Sequence, residues 1–255
     1  KNLTLIIRNL KNYELIKISS ADLSVIVFIF TFLSTVLNGQ FKCGGSLINK
    51  KWVLTAAHCI EEFSYAKLAG CSERKHTKTV VERNIGKIIV HPKFSQTTID
   101  NDIALLRLSS PVDRFNNGTD SWVTGWGNPL PRPQTLQEVK VPVIGNRQCS
   151  CLLRTVTDNM ICAGVLSGGK DSCEGDSGGP MVSKQRSRWI QSGVVSFGFG
   201  CAQPNLPGVY TRVSRYQSWI KARIRFNKPG FVEFTSRGED PDSSFTCQRS
   251  SPVTK

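Results

Sequence analysis

The stretch Asp171 to Pro180 reads D-S-C-E-G-D-S-G-G-P and sets one serine, Ser177, among glycines. A serine hydroxyl attacks a carbonyl at neutral pH only when a base takes its proton and donors stabilise the oxyanion that forms. Gly175 and Gly178 permit a tight turn in which the N–H groups of Gly175 and Ser177 converge on one point, an oxyanion hole. Alone, G-D-S-G-G is also an ordinary turn, because Gly, Asp and Ser dominate turns. Two further stretches supply what a nucleophilic serine needs. Trp52 to Cys59, W-V-L-T-A-A-H-C, is a strand-like apolar run ending at His58, a candidate base. Asn101 to Leu108, N-D-I-A-L-L-R-L, carries Asp102, a carboxylate able to orient that base, into another apolar run.

With their flanks and in the order His58, Asp102, Ser177, these stretches resemble the trypsin-like branch of the chymotrypsin-fold serine proteases, including prostasin-, testisin- and tryptase-type members. The resemblance is dense from about Phe41 to Ile224. It implies an all-β fold of two antiparallel six-stranded Greek-key barrels with a C-terminal α-helix. It implies a serine endopeptidase that works through an acyl-enzyme and uses no cofactor.

Asp171, six residues before Ser177, falls where the family has the floor of its primary specificity pocket, and a carboxylate there favours Arg or Lys. Gly198 and Gly208 fall at the pocket walls, and Ser196-Phe197-Gly198 at the main-chain pairing site for a substrate strand, with Phe197 where the family more usually has tryptophan. The implied partners are protein or peptide substrates with Arg or Lys at the cleaved bond, and protein protease inhibitors.

Two departures from the family pattern bear on activity. The family is activated by cleavage before Ile-Val-Gly-Gly, whose new α-amino group pairs with the aspartate that is Asp176 here; that tetrapeptide does not occur in this chain. The alternative expectation is therefore a latent or non-catalytic protease-like binding protein. After Ser109-Ser110-Pro111-Val112 about one strand of the family pattern is missing, so the first barrel and the inter-barrel connection are expected to be incomplete.

Nine cysteines suit an oxidising compartment. The resemblance pairs Cys43 with Cys59, Cys162 with Cys149 or Cys151, and Cys173 with Cys201, and puts Ser121 and Ser183 where a further family bridge would be. Cys71, Cys247 and one of Cys149 and Cys151 are left over, and an odd count implies a free thiol or an intermolecular bond. The C-x-C at Cys149 to Cys151 has no second ligand pair at zinc spacing, so no metal site is expected. The net charge of +14 and pI near 9.6 favour anionic partners such as glycans. The basic residues are scattered without a nucleic-acid motif, which favours a solvated surface and excludes nucleic acid as the expected partner.

Residues 1–40 stand apart: Leu23 to Phe41 carries no charge, with basic residues upstream, and reads as a signal peptide, an anchor or a non-native leader. Residues 41–224 read as the protease domain of a secreted or extracellular protein. Within it, Phe41 to Asn49 reads as strand, glycine turn and strand; Thr135 to Val143 alternates as one strand; and Ser214 to Ile224 reads as a helix capped by Ser214. His91, before Pro92, reads as structural. Residues 225–255 read as a flexible tail, and Asn2-Leu3-Thr4 and Asn117-Gly118-Thr119 are glycosylation sequons.

Overall fold

A strand covered on both faces begins the core: Ala104, Leu105 and Leu106 are completely buried, Arg107 is exposed to solvent on the same face as Leu105, and Leu108 is buried again. Each fully buried leucine contributes roughly 2 kcal/mol. The computed structural model describes residues 6–7, 32–37, 40–49, 51–61, 67–69, 85–109, 123–125, 137–185, 188–232 and 241–247.

The first half contains β1 (Ile6–Ile7), β2 (Phe32–Leu37), β3 (Gln40–Asn49), β4 (Trp52–Thr55), the single turn α1 (His58–Glu61), β5 (Lys67–Ala69), β6 (Ile85–Val90) and β7 (Ala104–Leu108). These strands form a seven-stranded antiparallel sheet in the order β1-β2-β3-β4-β7-β6, with β5 on β2. The second half contains β8 (Val123–Gly125), β9 (Gln137–Val139), β10 (Val143–Ile144), α2 (Asn146–Leu153), β11 (Met160–Ala163), β12 (Pro180–Gln185), β13 (Arg188–Phe197) and β14 (Gly208–Arg212). A 3-10 turn, Val213–Tyr216, leads into α3 (Gln217–Arg223), and a last 3-10 turn spans Pro241–Ser244. Five of these strands form a sheet in the order β10-β11-β14-β13-β12, and β8 pairs with β9.

The chain is thus all-β, in two antiparallel units followed by a C-terminal helix. The sheets carry seven and five strands and stay open among the described residues, where the resemblance implies two six-stranded barrels with the first incomplete. One core joins β4 and β7 to Val213, Tyr216, Ile220 and Ile224, so the C-terminal helix docks on the first sheet. Smaller clusters around Tyr210 and around Cys149 fill the second unit.

Four local expectations change. β3 runs unbroken from Gln40 to Asn49 instead of turning at its glycines. The Thr135 to Val143 stretch splits into β9 and β10, because Pro142 has no N–H for a ladder; its carbonyl instead accepts the Gly164 N–H at 3.0 Å. Ser214 lies exposed inside the 3-10 turn and does not cap α3, whose N-cap residue is Tyr216 and makes no side-chain cap bond. β2, which lies in the 1–40 segment that the sequence sets apart, pairs with β3, most of which lies beyond that segment.

The tail also differs from the expectation of a flexible segment in its described part. Cys151 bonds Cys247, and Asp242 accepts the N–H groups of Arg147 and Gln148, each at 2.9 Å, capping α2 from a distance in sequence. The Arg147 guanidinium donates to the Ser243 carbonyl. No sequence signal marks α2, whose cap comes from another part of the chain.

Candidate active site

β4 ends at Thr55, and the chain turns at once into α1, so that His58 stands at the edge of the first sheet with 27% of its side chain exposed. β7 begins at Ala104, two residues after Asp102, and pairs Thr55 with Ala104. This register brings the two residues together. Asp102 is buried; its Oδ1 accepts the His58 backbone N–H at 2.9 Å, and its Oδ2 lies 2.7 Å from His58 Nδ1. An ionised carboxylate only accepts, so Nδ1 carries the proton and Nε2 is left as a base.

Asp102 has two further supports that sequence reasoning missed. The Ser196 hydroxyl donates to its Oδ2, and the Thr211 hydroxyl donates to its carbonyl at 2.6 Å. Ser196 lies on β13 and Thr211 on β14, so the second sheet holds a carboxylate that belongs to the first. Ser46 of β3 and Gln191 of β13 add a buried cross-sheet bond of 2.9 Å.

Ser177 sits on the same seam. Its carbonyl accepts the Gly44 N–H of β3 at 2.7 Å. On the other side, the Gly178 N–H donates to the Val195 carbonyl, and the Gly179 carbonyl accepts the Val195 N–H, both at 2.8 Å. Val195 precedes Ser196 on β13, so the serine loop is fastened beside Asp102's support. Gly178, at φ +79°, lies so close to β3 that an added Cβ would fall 2.5 Å from the Gly44 carbonyl oxygen. No other residue fits there.

The loop before the serine is a double turn: the Asp176 N–H donates to the Cys173 carbonyl, and the Gly179 N–H to the Asp176 carbonyl, both at 2.9 Å. Gly175 takes φ +92° in it. Among the described residues, no protein acceptor engages the N–H of Gly175 or of Ser177. Asp176 is buried, and its carboxylate accepts the Cys173 N–H at 2.9 Å.

Asp171 is half-buried. Its oxygens accept the N–H groups of Ser172 at 2.8 Å and Ala202 at 3.2 Å. Burial raises its pKa above the ordinary carboxylate value, the two N–H donors oppose that rise, and the charge of Asp176 adds to it. Gly208 faces it: an added Cβ would stand 2.7 Å from Asp171 Oδ1. Tyr210 lies beneath, its hydroxyl 3.1 Å from that of Ser172 and its pKa raised chiefly by burial. The Cys173–Cys201 disulfide ties the Asp171 side to the Gly198 side. Gly198 is exposed, and Phe197 packs edge-on to Phe199.

Cys43 bonds Cys59, and Cys149 bonds Cys162, leaving Cys151 for Cys247. Cys43, His58 and Cys59 form the one metal-like cluster among the described residues, but the disulfide consumes both thiols. Cys71, Ser121 and both sequons lie outside the described residues. His91 stands apart from the site, its ring edge-on to Tyr216 and Trp219 and its pKa lowered first by burial and then by Lys93 and Arg223.

The trypsin family model matches residues 30–220. The chain is 42% identical to a trypsin of Sus scrofa over 213 residues, covering 74% of this chain and 88% of the relative. It is 43% identical to a tryptase of Mus musculus over 211 residues, 70% of this chain and 77% of the relative. It is 37% identical to serine proteinase stubble of Drosophila melanogaster over 214 residues, 72% of this chain but 27% of that longer protein. A buried carboxylate–imidazole pair, a serine loop stitched to both sheets and a match across most of the chain have one common source: the chain belongs to the trypsin family, the trypsin-like serine endopeptidases of the chymotrypsin fold.

Proposed function

We propose that the chain cleaves peptide bonds after Arg or Lys, with His58, Asp102 and Ser177 as its catalytic residues. His58 Nε2 takes the Ser177 hydroxyl proton while Oγ forms a bond to the scissile carbonyl carbon. The N–H groups of Gly175 and Ser177 hold the resulting oxyanion. The C–N bond then breaks, His58 gives its proton to the leaving amine, and water hydrolyses the acyl-enzyme by the same steps in reverse order. Asp102 keeps the proton on Nδ1 and stabilises the imidazolium.

The observation that carries the specificity is the Asp171 carboxylate lying against the side-chain-free face of Gly208. A long cationic side chain can reach the carboxylate there, and Arg can do so with two hydrogen bonds. Gly198 leaves the opposite lip open, and Ser196, Phe197 and Gly198 offer main chain to the substrate strand. In this reading 41–224 is the catalytic domain and 225–255 a tail, with 1–40 ahead of it. The chain is secreted and carries glycan at Asn117. Its partners are protein substrates, protein inhibitors and anionic glycans.

A second reading is a latent or non-catalytic form that binds basic segments. Its support lies in the sequence: Ile-Val-Gly-Gly, whose new α-amino group pairs in the family with the aspartate that is Asp176 here, does not occur in it. N-terminal sequencing of the purified native protein, combined with turnover of an arginyl amide before and after trypsin treatment, separates the two. Turnover with a new Ile-Val-type terminus supports the enzyme, and folded protein without turnover under either condition supports the latent form.

A further inference from the structure

Across β4, β7 and β6, Trp52 pairs with Arg107 and Arg107 pairs with Lys87, so three side chains form one row on the outward face of the first sheet. Arg107 and Lys87 are both exposed. Like charges directly opposite each other on a sheet are destabilising, so this row costs folding stability unless an anion lies over it. The end of α3 and the chain beyond it close over the row. The Asn49 side-chain N–H donates to the Asn227 carbonyl at 2.8 Å and holds that wall in place.

Between the row and the wall lies a cleft of about 740 Å³. Its lining includes five cations, Lys51, Lys87, Arg107, Arg223 and Arg225, and no Asp or Glu. None of the five forms an ion pair with another described residue. Two aromatic rings also line the cleft: Trp52 is partly buried, while Phe226 is 84% exposed. Cations on two walls with flat apolar faces between them match a chain of sugar rings bearing sulfate or carboxylate groups.

We propose that this cleft binds a sulfated polysaccharide. The disulfides place the protein in an oxidising compartment, where sulfated glycans rather than nucleic acids are the abundant polyanionic chains. The site is separate from the catalytic residues. Arg107 lies five residues from Asp102 and Trp52 six residues from His58; the three steps of β7 from Ala104 to Arg107 alone span roughly 10 Å. None of the residues lining the cleft belongs to the Asp171 pocket.

The test is titration of the full chain with a heparin octasaccharide at low and near-physiological salt. Affinity falls as salt rises, as it does when several phosphate-like charges are neutralised. The variant Lys87→Ser, Arg107→Ser, Arg223→Ser loses at least about tenfold in affinity, the equivalent of about 1.4 kcal/mol. A control variant with the same change in charge, Lys140→Ser, Arg154→Ser, Arg215→Ser, keeps affinity within about threefold, and both variants melt cooperatively. The octasaccharide raises the melting temperature of the native protein and of the control, but not of the cleft variant. Equal losses in the two variants, no binding by the native protein, or equally tight binding of duplex DNA at the same salt would each overturn the proposal. The readout is binding, so its failure and the failure of the protease reading remain distinguishable.

Discussion

The Ser196 hydroxyl donates to Asp102 Oδ2, the same oxygen that accepts the His58 Nδ1 proton. One carboxylate oxygen thus serves a donor from each sheet, and the two units meet at a single buried charge. Ser196→Ala removes a hydrogen bond to that charge, worth about 1.5–3 kcal/mol where it is fully used. The expected outcome is a fall of about 10- to 100-fold in kcat on an arginyl amide with KM nearly unchanged, and partial recovery in Ser196→Thr. An unchanged kcat in Ser196→Ala would show that His58 and Thr211 suffice to hold Asp102.

Asp171→Ser removes the proposed contact with substrate cations. Turnover of arginyl and lysyl amides drops by about 10²- to 10³-fold in kcat/KM, as expected for losing one partner of a desolvated charge pair. Thermal stability is unchanged or higher. Retained preference for Arg over neutral residues would refute the pocket assignment.

The raised pKa of Asp171 gives that contact a pH signature. As pH falls, the carboxyl takes up its proton earlier than an ordinary carboxylate, so KM for an arginyl amide rises on the acid side while KM for a neutral substrate does not. For folding, the sign is that of a proton bound more tightly in the native state. The stability contributed by protonated Asp171 is full below its unfolded pKa and is lost as pH rises through its folded pKa. Titration of both substrates and of the melting temperature checks the two signs together.

Steric limits give two further outcomes. Gly178→Ala combines a left-handed φ of +79° with a Cβ only 2.5 Å from the Gly44 carbonyl, and should destabilise by about 2–4 kcal/mol, read as a fall in Tm or in yield of folded protein. Gly208→Val places its branch against Asp171 and Tyr210. It should keep hydrolysis of an activated ester of a small acid while cutting arginyl amide turnover by about 100-fold or more.

The proposed chemistry is written in contiguous words: D-S-C-E-G-D-S-G-G-P, T-A-A-H-C and N-D-I-A-L each carry one of the proposed catalytic residues with its flanks. The strands around them showed in their apolar runs. What did not show depends on pairs far apart in sequence. Ser196 lies 94 residues from Asp102 and Thr211 lies 109, and nothing local distinguishes these hydroxyls from other strand residues. The division of strands between sheets followed the same logic, since pairing partners and register are not written in any one segment. The α2 helix is the clearest case, because its capping carboxylate, Asp242, comes from 95 residues away in a stretch that reads as tail.

Cys247→Ser releases the staple to Cys151. Loss of a crosslink spanning 96 residues typically costs about 2–4 kcal/mol, so Tm should fall, and Cys151 should become alkylated without reduction.

That staple also decides what happens to the protein when it is cut. The bond from Cys151 to Cys247 makes one covalent ring of the chain that holds β11 to β14, the Ser177 loop and α3. A single nick in any loop of that ring, including one made by a sister molecule, opens the ring without releasing a fragment. The nicked protein gains only the water that hydrolysis adds, keeps both new ends, and separates into pieces only under reducing conditions.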